Sequence, residues 1–215
     1  MEHEKRAELT PLPQKMKHLP VDERGYPVPY FVQWIDGKPD FRVMDVTRWA
    51  SCVKLSLCWI CGEALGAHLC FVAGPMCGIN RTSGEPPSHR DCAIWAARNC
   101  PFLVRPHMRR REDEFTETLV TPGVSIRRNP GVNMIWYTKE YTVFRDGKGN
   151  PLLQMGDPLN VEWYCEGRAA TRDECLDSIM GGLPLLEVEA AKDGERAQRH
   201  LRRNLEGLLA LLPDD

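Results

Sequence analysis

No stretch of this sequence approaches the roughly 18 consecutive apolar residues of a membrane-spanning helix. The first twenty residues, MEHEKRAELTPLPQKMKHLP, hold none of the apolar run that drives secretion. Nor is there an excess of charge of one sign: 28 basic residues face 30 acidic ones, for a net charge of −2. The overall balance therefore advertises neither nucleic acid nor an anionic membrane, and only a local patch remains open to a polyanion. The short motifs of several enzyme classes are also missing. There is no His-Glu-x-x-His, no Gly-x-Ser-x-Gly elbow and no Gly-x-x-x-x-Gly-Lys phosphate loop. Internal repeats and low-complexity tracts are absent too. What these absences leave is a globular protein, expected in a reducing cytoplasm, with no membrane partner and no small-molecule cofactor.

Against this background the sulfur is conspicuous. Nine cysteines occur in 215 residues, and five of them, with two histidines, fall between Cys58 and Cys92. A metal site, a disulfide framework and a reactive thiol compete to explain them. An odd count in a reducing compartment argues against disulfides. Cys58-Trp-Ile-Cys61-Gly62 has the spacing of a zinc knuckle, in which two thiolates grip one ion and a glycine relieves the turn. His89-Arg-Asp-Cys92 repeats the two-residue gap at the start of an expected helix. Ser88 is its expected N-cap and Asp91 its acidic residue in the first turn. The expected ligand set is Cys58, Cys61, His89 and Cys92 around Zn2+. Cys77 could replace His89, and Cys70 and Cys100 are ambiguous. Cys52, Cys165 and Cys175 read as small buried hydrophobes, and His68 as a surface residue without a paired ligand.

The rest of the chain reads as α+β: an antiparallel sheet flanked by helices, with a zinc module embedded at 58–100 and a helical C-terminus. Residues 1–20 are expected to form a flexible arm, and 21–215 one integrated domain. Val28 to Ile35 and Phe41 to Met44 read as a hairpin around Asp36-Gly37-Lys38. Thr47 is the expected cap of a short helix carrying Trp49 and Val53. Leu69 to Ala73 and Met76 to Ile79 are expected to be two strands turning at Gly74-Pro75. From about Val120 to Tyr164, β-branched and aromatic runs between Gly and Asp turns predict further strands. C-terminal helices are expected over 171–212. Thr171 and Glu174 open the first as a capping box, Gly181-Gly182 end it, and Leu201, Leu205, Leu208 and Leu212 line the next.

Knuckle, hairpin, then a helix bearing two ligands at its start is the order of a treble clef, and residues 58–100 resemble treble-clef zinc fingers in spacing and element order. More broadly, GYPVPYFV, FVAGPMCGINRTSGEPPSHRDCA and EGRAATRDECLDSI resemble an uncharacterised group of bacterial and phage-encoded proteins. That resemblance implies one integrated fold and no particular activity.

Four protein ligands leave no open coordination position, so the expected zinc is structural. The expected function is that of a zinc-stabilised, non-enzymatic binding protein with a protein or nucleic-acid partner. Candidate contacts are Asn80, Arg81, Ser83 and Glu85 on the loop beside the metal, and Arg109, Arg110 and Arg111 in the basic run from Arg105 to Arg111. The alternative is a metal-dependent enzyme acting on nucleic acid or a nucleotide, akin to treble-clef nucleases, with His68 or Cys77 as the chemical residue. Such nucleases need a further helix histidine, and after Cys92 only His107 stands before the acidic half of the charge run.

Overall fold

The computed structural model describes residues 9–105 and 130–214. Among them it shows an α+β fold built on three antiparallel sheets. The first is the hairpin of β1 (Val32–Ile35) and β2 (Lys38–Met44). Its turn residues Asp36 and Gly37 both have positive φ, the backbone a tight two-residue hairpin requires. Asp45 follows and caps α1 (Val46–Leu55), accepting hydrogen bonds from the amides of Thr47 and Arg48. The expected cap at Thr47 is therefore two residues late. An aspartate carboxylate reaches both orphan amides, leaving the Thr47 hydroxyl to hydrogen-bond the same carboxylate.

The central sheet has the order β3 (Leu69–Ala73), β5 (Val132–Thr138), β8 (Asn160–Cys165) and β9 (Arg168–Ala169). A smaller sheet joins β4 (Thr82–Ser83), β7 (Pro151–Met155) and β6 (Tyr141–Arg145). Every residue of β5 is buried, because both its faces are covered. Met134 and Trp136 face a large cluster containing Phe71, Ile179, Leu183, Leu201 and Leu208. Ile135 and Tyr137 face a second cluster with Cys70, Ala93 and Ala97. The second cluster belongs to α3 (Arg90–Asn99). The first belongs to α2 (Pro75–Asn80), α5 (Arg172–Lys192) and α6 (Glu195–Leu209). The short α4 (Pro101–Val104) continues from α3.

Two expected boundaries differ. Met76 to Ile79 is helical, not a second strand. Gly74 takes the N-cap position, Pro75 is pre-organised at the first helical position, and Gly78 brings α2 against Met134 and Leu208, where a Cβ would fall 2.6 and 3.0 Å from their side chains. The glycine pair at 181–182 does not end α5, which runs on to Lys192 through Pro184. Gly182 is there for close approach: a Cβ would lie 2.8 Å from the Met76 sulfur.

The capping box at the start of α5 forms as expected, with Thr171 accepting from the Glu174 amide and Glu174 accepting from the Thr171 amide. Arg168 also donates two hydrogen bonds to Glu174, at 2.6 and 2.9 Å. These bonds from Arg168 first, then the Thr171 amide, pull the Glu174 carboxyl down from its ordinary 4.5 to about 2. A depressed carboxyl contributes stability above its unfolded pKa and loses it as pH falls through the folded one. Denaturation of Glu174→Gln beside the wild type should therefore show a deficit at neutral pH that closes between 4.5 and about 2. A deficit unchanged across that window would refute the ion-pair account.

Candidate metal centre

The chain leaves α1 through Ser56 in the left-handed region and doubles back at once. The Cys58 amide donates to the Glu63 carbonyl at 2.8 Å, and the Gly62 amide to the Cys58 carbonyl at 2.8 Å, which closes a tight knuckle. Gly62 has φ +78°, and a Cβ there would meet the Tyr30 ring at 2.7 Å. Gly62→Ala should cost about 1–3 kcal/mol from backbone strain alone, measured by denaturant unfolding. An unchanged midpoint would show that the knuckle does not need this backbone.

The second ligand pair is positioned from β3. Cys70 and Ser88 exchange backbone hydrogen bonds in both directions. This bridge fixes the chain two residues ahead of α3. His89, not the expected Ser88, is the helix's N-cap residue, and its ring caps nothing. Instead the ring turns to the knuckle, with Nδ1 3.4 Å from the Cys61 sulfur. Its other nitrogen, Nε2, lies 3.0 Å from the Ala64 carbonyl. A carbonyl only accepts, so Nε2 carries a proton, which leaves Nδ1, on the sulfur side, as the nitrogen that would give up its proton to bind a metal.

The structure thus brings Cys58, Cys61, His89 and Cys92 together, with their donor atoms all within 4.8 Å of one another. A tetrahedral ion with bonds of about 2.3 Å to sulfur and 2.0–2.1 Å to nitrogen needs donor-to-donor edges of roughly 3.5–3.8 Å. The donor set fits a metal ion in number, chemistry and spacing. The amides of Cys61 and His89 both approach the Cys58 sulfur at 3.4 Å, placing partial positive charge where a thiolate belongs. Burial raises the Cys58 thiol, but hydrogen bonds from Cys61, Cys92 and His89 outweigh it and the group falls well below the ordinary thiol range. Its hydrogen bond to Cys61 pushes that thiol up to about 11, and Cys92 is likewise raised, first by its contact with Cys58. One thiolate is favourable in this pocket and three are not, unless a cation joins them.

Water is kept from the cluster by a roof that composition did not reveal. The sulfurs of Cys58, Cys61 and Cys92 sit with Met16, Leu19, Ile60 and Trp95 in one apolar cluster. Residues 9–20, expected to be loose, lie against the module. Met16 is fully buried, Trp95 donates to the Thr10 carbonyl at 3.1 Å, and Asn99 donates to the Thr10 hydroxyl at 2.8 Å. His18 Nε2 is 3.0 Å from the Cys61 carbonyl. The spacing of Leu9, Leu12, Met16 and Leu19 was the available signal, an apolar face split by Pro11 and Pro13.

The other sulfur and nitrogen candidates stay out of the group. Cys52 is buried beneath the Cys58 carbonyl, and burial holds its thiol up at about 12. Cys70 lies in the sheet–α3 cluster, also raised to about 12 by burial. Cys77 is on α2, Cys100 ends α3, Cys165 and Cys175 are buried in the large core cluster, and His68 is exposed. Of the proposed contact loop, only part faces outward. Asn80 is exposed at the end of α2. Arg81 pairs with Asp157, and its carbonyl accepts from the Met155 amide and the Gln154 side chain. Ser83 is buried and bonded to the Glu85 backbone. Arg109, Arg110, Arg111 and His107 lie outside the described residues.

Together the fold and the cluster define an α+β protein with three buried cysteines and one half-buried histidine grouped so that they could hold a metal ion. Compared with protein families, with curated proteins and with solved structures, the chain matches none. Among the described residues, no helix is long and apolar enough to cross a membrane.

Proposed function

We propose that the cluster holds one zinc ion as a structural centre and that the chain is a non-enzymatic binding protein built around it. One observation carries this reading: four donor atoms converge within 4.8 Å, three of them thiols at no more than 1% exposure. Three thiol sulfurs and one imidazole suit zinc among the common divalent ions, and a full set of protein ligands leaves no position at which water could be activated. The ion would supply folding free energy to a part of the chain with little apolar core of its own. The residues around it act to the same end. The Ala64 carbonyl holds the His89 ring through Nε2, the knuckle amides face the Cys58 sulfur, and the 9–20 segment shuts out solvent.

The helix that carries Cys92 is not presented as a reading element. Ala93 and Ala97 press on the sheet, and Trp95 and Asn99 on the N-terminal segment. The module therefore acts as an internal staple, and partner contacts fall on surfaces it stiffens. On the loop beside it, exposed Asn80 remains for that role, because Arg81 and Ser83 hold the loop itself.

Elemental analysis of protein purified without added metal tests the reading. About one tightly held zinc per chain is expected, and His89→Cys should keep it, since a thiolate fills the same corner. A second, weakly held ion needed for turnover of a nucleotide or nucleic acid would overturn it in favour of an enzyme.

A further inference from the structure

The polar side of α6 is unlike the rest of the surface. In a chain of net charge −2, the eight residues from Arg196 to Arg203 hold four arginines, one histidine and no acid. Arg196, Arg199, His200 and Arg203 recur at spacings of three and four, so they share one side of the helix. All four are exposed. The opposite side, Leu201 and Leu208 with half-buried Leu205, is committed to the core. Arg199 makes one exposed ion pair with Glu195, a contact worth little in water. No other carboxylate pairs with these arginines among the described residues. A shallow hollow of about 550 Å3 opens along this face, lined among the described residues by Asp193, Arg196, Ala197, Arg199, His200 and Arg203.

We infer that the Arg196–Arg203 face of α6 binds the phosphate backbone of nucleic acid. The inference rests on reading the chain as a binding protein, and not on its metal. Three features favour this occupant. The fixed cations are all arginine, whose planar fork matches phosphate oxygens two at a time. The face offers no exposed apolar side chain, whereas a membrane-surface helix needs an apolar face to bury and a protein interface is anchored by apolar or aromatic groups. A phosphate backbone asks only for cations at the right spacing. From Arg196 to Arg203 the helix rises roughly 10 Å, and one strand of a duplex offers a phosphate about every 3.4 Å along the axis, so the row spans about three. Such contacts position a nucleic acid without reading its sequence.

The test is fluorescence anisotropy of labelled mixed-sequence DNA of about 20 nucleotides, single-stranded and duplex, titrated with the full chain at several salt concentrations. Arg196→Gln, Arg199→Gln and Arg203→Gln are combined in one variant, because glutamine keeps the helix propensity and removes the charge. Zinc content and melting temperature should match the wild type. Binding should weaken about tenfold or more, and the slope of log affinity against log salt should flatten by about 2–3, near 0.7–0.9 for each phosphate no longer neutralised. No wild-type binding at about 50 mM salt would overturn the proposal and leave the metal reading intact. A variant that binds like the wild type would overturn it too, placing the binding surface elsewhere on the chain. Equal or tighter capture by phosphatidylserine vesicles, or full competition by poly-glutamate, would replace nucleic acid with a membrane or an acidic protein.

Discussion

Replacing Cys58, Cys61 or Cys92 with Ser should each release the metal and abolish cooperative folding of the module at ordinary growth temperatures. Structural zinc contributes on the order of 10–16 kcal/mol in finger-sized units, while whole domains are stable by only about 5–15 kcal/mol. Losing one thiolate therefore removes more than the fold can spare. The apolar cluster around the site is small, Met16, Leu19, Ile60 and Trp95 beside the sulfurs themselves, so little else would hold the knuckle to α3. A strong chelator should do the same to the wild type. Circular dichroism melts with parallel metal analysis make the comparison. Cys52→Ala, Cys165→Ala and Cys175→Ala are the controls; each should keep full metal and lose only about 1–2 kcal/mol. If the three ligand variants retained metal and melted like the wild type, the ligand set would be wrong.

Trp136→Ala should cost about 3–5 kcal/mol, the usual range for emptying a buried aromatic site. Trp136 is 1% exposed at the middle of the central strand. Its indole N–H donates to the Gly156 carbonyl at 3.0 Å, and the Arg81 guanidinium lies 5.8 Å from its ring centroid. The substitution opens a void beneath α5 and α6, leaves a carbonyl short of its donor, and loosens the arginine that ties the 80–85 loop to β7. The surface provides the contrast: Trp34 on β1 is 38% exposed, and its replacement by Ala should stay within about 0.5 kcal/mol. Denaturant midpoints for the two variants settle the matter. Equal losses would mean that the central sheet is not the core of this fold.

The convergence of Cys58, Cys61, His89 and Cys92 was legible because paired spacing is a local signal. Two residues between ligands fix two donors on one turn, whatever the rest of the chain does. The α1 cap was missed by two residues because Asp45 and Thr47 offer the same oxygen chemistry, and only the backbone decides which is used. Met76 to Ile79 misled for a different reason. Four residues are too few to separate a period of 2 from a period of 3.6, and the deciding fact, that Gly78 lets α2 touch Met134 and Leu208, is tertiary. Gly181-Gly182 carried the same ambiguity: a glycine that permits close helix contact reads the same in sequence as one that stops a helix. The roof over the cluster was hidden by Pro11 and Pro13, which break the periodicity of Leu9, Leu12, Met16 and Leu19 without preventing their packing against it.

X-ray absorption at the zinc edge on the purified protein reads the coordination shell itself. Four-coordinate zinc is expected, with three sulfurs at about 2.3 Å, one nitrogen at about 2.0–2.1 Å and no oxygen in the shell. A spectrum that needed a bound water or a carboxylate oxygen, or fewer than three sulfurs, would contradict it.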